Sequence, residues 1–247
     1  MGLAAKRNNQ PYIKQIEFRS MEFNFDTRPS DSPLVEAIWR SQTEQRGGSF
    51  ISTAVSLWEM VITKEREKIT LSIRGPETKA SPAPIPDGYV EYVGIIFKHG
   101  VFMPHLPKQE LVDNALHLPE SAKHSFQLQS GSWQFPDFEN ADTFVNKLVR
   151  ENMLMHDQVV EDVLRGQTKE LSLRSLQRRF LHVTGLTYKT IQQIERARHA
   201  LTLLQSGVPI PETAYQTGYF DQPHLTRSLK LFVGQTPAQI VKSNQME

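Results

Sequence analysis

The chain has 247 residues and a net charge of +1, with 38% hydrophobic and 22% charged side chains, a globular composition long enough for two ordinary domains. It contains no cysteine, which excludes a disulfide framework, thiolate metal sites and thiol nucleophiles and favours a reducing compartment. No apolar run nears the length of a membrane span, and the start MGLAAKRNNQPYIKQ lacks the apolar core of a signal peptide, so the expected location is the cytoplasm, nucleoid-associated when bound to DNA.

The front carries β signals. FNF at 23–25, LWEMVI at 57–62, ITLSIR at 69–74 ending in Gly75-Pro76, and YVEYVGIIF at 89–97 before His99-Gly100 predict short strands. Between them, Gly47-Gly48 and SPAPIPDG at 81–88 read as turn-rich pieces, since proline does not sit in central strands. PLVEAIW at 33–39 suggests one or two helical turns, with Asp31 or Ser32 as cap and Pro33 at the first helical position. Glu59 and Glu91 lie inside apolar strands and need a partner or a ligand if they face inward.

From Asn140 the period becomes helical: Phe144 and Leu148 stand four apart, and Val159, Val160, Val163 and Leu164 continue after a break. All three tryptophans and eleven of the fifteen prolines precede residue 137, which agrees with a mostly-β front and an all-helical tail. The expected domains are 1–150, a β-rich sensing domain, and 156–247, an all-α domain. Charge divides the same way: residues 1–155 hold 17 basic and 19 acidic side chains, 156–247 hold 11 and 8. The excess in the tail is mild and in the direction phosphate binding needs.

An offset of 49 residues superposes the tail on itself, bringing Leu176 onto Leu225, Arg178 onto Arg227, Gly185 onto Gly234 and Thr187 onto Thr236. Ser172 falls on Asp221, both good N-caps, and Phe180 on Leu229. Each copy has the make-up of a recognition helix. The apolar pair four apart buries one face, leaving Arg174, Gln177, Arg178 and Arg179 in the first copy and Gln222, His224, Thr226, Arg227 and Lys230 in the second for base edges and phosphates. Upstream of the second copy, PETAYQTGYF supplies a short helix with Ala214 at a close approach and Gly218 for the turn. Between the copies, Ile191, Ile194, Ala197, Leu201 and Leu204 form one stripe, predicting a linker helix over 188–205 that ends before Gly207. Its length, roughly 27 Å, approaches the ~34 Å between successive major grooves on one face of B-DNA.

The run GYFDQPHLTRSLKLFVGQTPAQI (Gly218 to Ile240) closely resembles the signature of the AraC/XylS family of bacterial transcription regulators, and SLRSLQRRFLHVTGLTYKTI (Ser172 to Ile191) resembles that family's first recognition helix. The resemblance implies base contacts from Arg174, Gln177 and Arg178 in the first unit and from Gln222, Pro223, His224 and Arg227 in the second, with Thr226 on a phosphate. It departs from the family pattern at Lys169, where a turn glycine is expected, at Arg165, in the small-residue position, and at Pro223, which has no polar group to read a base.

The order of front elements is similar to the cupin-like β-barrel sensor domains of that family. This gives an α+β two-domain fold class: an N-terminal mostly-β cupin-like barrel and a C-terminal tandem helix-turn-helix domain. The function implied is a sequence-specific transcription regulator, an activator or a repressor, with promoter DNA and RNA polymerase as partners, an unidentified small-molecule effector, and a homodimeric assembly. No cofactor, metal or enzymatic activity is expected, because His99, His105, His117 and His124 lack metal-ligand spacing. The alternative is a metal-dependent cupin-type enzyme fused to a DNA-binding tail. Trp58, Phe97, Phe102 and Trp133 are expected in the core, with an effector pocket as the second possibility for them.

Overall fold

The computed structural model describes residues 24–43, 47–122, 124–167 and 171–244. In the front the strands are β1 (Asn24–Arg28), β2 (Val35–Thr43), β3 (Gly48–Ser52), β4 (Glu59–Glu65), β5 (Lys68–Arg74), β6 (Ser81–Ile85), β7 (Val90–Phe97) and β8 (Val101–Phe102). After the short helix α1 (Lys108–Leu111) come β9 (Ala115–Leu118), β10 (Glu120–Ala122), β11 (Ser125–Leu128) and β12 (Gly131–Gln134), then helix α2 (Ala141–Arg150) and β13 (Met155–His156). The tail is α3 (Gln158–Leu164), α4 (Leu173–Thr184), α5 (Tyr188–Gln205), α6 (Ile210–Gln216), α7 (Gln222–Phe232) and α8 (Pro237–Asn244). The mostly-β front and all-helical tail expected from the sequence are both present. Phe23, the start of the first expected strand, lies outside the described residues.

A six-stranded antiparallel sheet in the order β1-β2-β7-β4-β5-β9 organises the front, with three small sheets, β10-β11-β12, β13-β8 and β3-β6, around it. Alternation along each strand gives the sheet two apolar faces. Ile38, Met60, Ile62, Leu71, Ile73, Ile95 and Phe97 pack on Phe126, Leu128 and Trp133 and on Phe144, Val145 and Leu148 of α2. The opposite face carries Ala37, Trp39, Val61, Ile96 and Tyr92.

Two sequence expectations fail here for physical reasons. Residues 33–39 are not helical: the segment enters β2, which pairs with β1 and β7. With apolar neighbours on both faces, the strand shows no period of two, and its β-branched and aromatic residues favour a central strand over a short helix. The proline-rich 81–85 is a strand, β6, paired with β3 alone. An edge position needs ladder donors from alternate residues only, so Pro82 and Pro84 can take the outward-facing set.

The two halves join without a free linker. Met155 and His156 pair with Phe102 and Val101, and Asp157 then caps α3 by accepting from Val159 N at 3.0 Å and Val160 N at 3.3 Å. The tail has its own core of Phe180, Val183, Ile191, Ile194, Leu201, Leu204, Leu225, Leu229 and Ile240, into which Ala54 and Phe102 of the front are buried. The linker helix spans Tyr188–Gln205, its expected range. Arg198 of this helix is buried and donates to the Ala54 carbonyl at 3.3 Å.

Gly94 faces Trp39 across the β2–β7 ladder, and a Cβ built there would lie 2.1 Å from the indole ring. Gly94→Ala is therefore expected to destabilise the protein by about 1–3 kcal/mol through overpacking, lowering Tm and changing indole fluorescence. An unchanged Tm would contradict this packing.

Candidate functional site

Helices α4 and α7 each begin at a side-chain cap. Ser172 caps α4 by accepting from Ser175 N at 3.2 Å, and Asp221 caps α7 by accepting from His224 N at 2.6 Å. Leu225 and Leu229 are fully buried beneath α7; beneath α4 Phe180 is buried and Leu176 half-buried. On the opposite side of α4, Arg174, Gln177 and Arg178 are all exposed and share one face at i, i+3 and i+4. Moved by 49 residues, the same face of α7 carries Pro223, Thr226 and Arg227. Gln222, Pro223 and Arg227 are exposed there, and His224 and Thr226 half-buried. His224 stands edge-on to the Tyr219 ring, centroids 5.0 Å apart, which fixes the ring beside the cap.

Arg179, grouped with the contact face in the sequence, turns away and donates to both carboxylate oxygens of Asp157 at 3.0 Å. Its counterpart Ser228 makes a 2.6 Å hydrogen bond with the Tyr219 hydroxyl. At this register position α4 and α7 are each tied to the segment before them. Thr187 and Thr236 cap the following helices, accepting from Thr190 N at 3.1 Å and Gln239 N at 3.3 Å.

The irregular first unit has a simple explanation. Helix α3 ends on Gly166, φ 79°, as α6 ends on Gly218, φ 69°. The closing bonds match one for one: Gln167 N to Asp162 O and Gly166 N to Val163 O in the first, Tyr219 N to Ala214 O and Gly218 N to Tyr215 O in the second. Helices α3 and α6 thus repeat at 52 residues, and α4 and α7 at 49. Five residues separate Gly166 from its cap against two for Gly218, so the turn glycine sits three positions before Lys169, which lies outside the described residues. Arg165 is the C-cap of α3 and pairs with Glu161; the small-residue position belongs to the buried Asp162, bonded to Gln158.

Sequence reasoning missed an apolar pair just before the starts of α4 and α7. Phe220 is 93% exposed and Leu171, its counterpart 49 residues earlier, 40%. Both precede the cap, where such a residue commonly folds back onto the helix as a hydrophobic staple; Phe220 does not.

The front holds a cavity of about 490 Å³ between the second face of the six-stranded sheet and the β3–β6 pair. Trp39, Tyr92 and Phe50 supply aromatic surface, and Arg74, Glu77 and His117 supply polar groups. Burial pushes the Glu77 carboxyl up, against a 2.7 Å hydrogen bond from Ser52 and the nearby Arg74. Behind the cavity Glu59 is raised by burial too, with Arg74 and the Trp39 N–H, 3.1 Å away, opposing. Glu91 instead takes bonds from Tyr89 and Lys64 near the surface. Trp58, Phe97, Phe102 and Trp133 do not line this space: Trp58 stacks on Phe97 at 4.1 Å and all four pack in the cores. His99 and His117 are hydrogen-bonded separately, to Ser56 and Ser72. Among the described residues no group of three or more His, Cys, Asp or Glu is placed to hold a metal.

The family model of a helix-turn-helix domain matches residues 169–243. No curated protein matches the chain. Similar solved structures include ToxT from Vibrio cholerae, 10% identical, covering 88% of this chain and 98% of that chain with a TM-score of 0.39. They also include ToxT bound to (E)-4-(8-methylnaphthalen-1-yl)but-3-enoic acid, 11% identical, covering 89% and 99% with a TM-score of 0.39. Unsaturated-fatty-acid-bound ToxT is 9% identical, covering 88% and 94% with a TM-score of 0.41.

Asp221→Ala, and separately Ser172→Ala, each remove a cap and are expected to cost about 0.5–2 kcal/mol, read as a lower midpoint in thermal unfolding. A midpoint unchanged in both variants would mean that neither cap holds its helix.

Proposed function

We propose that this chain, whose residues 169–243 match the family model of a helix-turn-helix domain, is a sequence-specific transcription regulator of the AraC type that reads promoter DNA with α4 and α7. The observation that carries the reading is the repeated outward face, exposed Arg174, Gln177 and Arg178 on α4 and exposed Pro223 and Arg227 with half-buried Thr226 on α7, each beside a capped helix start. In this reading Arg178 and Arg227 pair with guanine edges, Arg174, Gln177, Gln222 and His224 complete the base contacts, and Thr226 holds a phosphate. Pro223 gives the second unit a contact without hydrogen bonds. Phe220 and Leu171 suit thymine methyl groups or sugar carbons at the groove edge.

The cavity bounded by Trp39, Arg74 and Tyr92 is of the size and mixed apolar-polar character that takes a small molecule, and we assign the effector to it. The protein acts as a regulator without catalysis, in the cytoplasm, with RNA polymerase as partner and a homodimer as assembly. No helix among the described residues is long and apolar enough to cross a membrane.

Arg178→Ala and Arg227→Ala are expected to weaken binding to a selected DNA site by about 1–3 kcal/mol, with little change on random DNA. Equilibrium titration of both DNAs decides this: equal losses on the two would make the arginines phosphate contacts, and no loss on either would remove them from the interface.

A further inference from the structure

The wall that closes the cavity has the second reading helix on its other side. Along β3, Phe50 lines the cavity while its neighbour Ile51 lies against Gly234, where an added Cβ would come within 2.7 Å of the Ile51 side chain. Along the chain entering β6, Glu77, Lys79 and Ser81 line the cavity. Between them Ala80 turns outward, its Cβ 3.3 Å from the same built atom on Gly234 and its N–H donating to Leu231 O of α7 at 2.8 Å. Ala54 N donates to Phe232 O at 2.7 Å. Extended backbone sends alternate residues to opposite sides, so one layer of chain has the cavity on one face and the C-terminal end of α7 on the other.

The first unit is anchored in the same manner. Gly185, the counterpart of Gly234, ends α4 at φ 75°, and a Cβ there would fall 2.6 Å from Lys108 O of α1. From α1 the chain runs directly into Asp113, Asn114 and Ala115, which line the cavity. Asp113 accepts from Thr78 N and Thr78 Oγ1, both at 2.6 Å, joining the two anchoring segments at the cavity rim. None of these contacts covers Arg174, Gln177, Arg178, Gln222 or Arg227, which stay exposed. The interface also includes a polar group, Ser56 bonded to Glu195 of α5 and to His99 of the front.

We propose that this wall is the transmission element of the regulator: what occupies the cavity sets how the C-terminal end of α7 is held, and thereby the placement of the second reading face relative to the first. The proposal rests on the reading of the chain as an effector-responsive DNA-binding protein. An occupant acts only through a difference in its contacts between the two placements, and the wall is where such a difference reaches α7.

A double-mutant cycle on the full chain tests it, with affinity for a DNA site selected from a random pool as the readout. Ala83→Trp introduces bulk on the cavity face of β6, standing in for an occupant. Ala80→Pro removes the donor to Leu231 O on the outer face, and Ile51→Ser, which cuts the Gly234 contact, serves if Ala80→Pro does not fold. Ala83→Trp is expected to shift affinity for the selected site by about fivefold or more in the otherwise native chain and by less than about twofold once the outer contact is cut. An Ala83→Trp shift of equal size in both backgrounds, or no shift in either, overturns the proposal. The native chain reports separately on the underlying reading, because a protein that does not prefer the selected site to random DNA is not the regulator assumed.

Discussion

A helix can offer its N-terminal end to a DNA groove only if its far end and inner face are held by something else. Here that constraint is met twice by the same device: a left-handed glycine, Gly185 or Gly234, stops the helix and lets the chain press against the front half. A side chain at either position would oppose both the backbone angle and the close approach. The caps Ser172 and Asp221, the buried leucines and phenylalanine, and the exposed arginines are all oriented by where those glycines place the helix.

The tail was legible because its signals are local. Caps, the i, i+4 apolar pairs and the Gly-x-Thr stop lie within a dozen residues of one another, and the 49-residue repeat lets each copy check the other. The linker helix followed from its stripe and its stop. Harder to see was that α3 and α6 repeat at a different offset from α4 and α7, because extra residues between Gly166 and Ser172 hide the glycine from a fixed register.

The front was legible only as a class. Strands β4, β5 and β7 follow from their apolar runs, but β2 is covered on both faces and loses its alternation, and β6 carries prolines that only an edge can accept. The cavity could not be read from sequence at all. Trp39, Arg74, Tyr92 and His117 meet because β2, β7, β5 and β9 share one sheet face in an order unrelated to their order in the chain, so no short spacing announces them. The same holds for the docking of α7, whose partners Ala54 and Ala80 contribute backbone N–H groups, present in almost every residue.

Whether one chain reads two successive major grooves with α4 and α7 is decided by selecting binding sites from a random DNA pool with the purified full-length protein. Two reading units give an enriched motif with two conserved blocks about 10–11 base pairs apart. A motif with a single block would contradict the two-unit reading, and no enrichment, with the full chain or with the 156–247 fragment, would contradict DNA recognition itself.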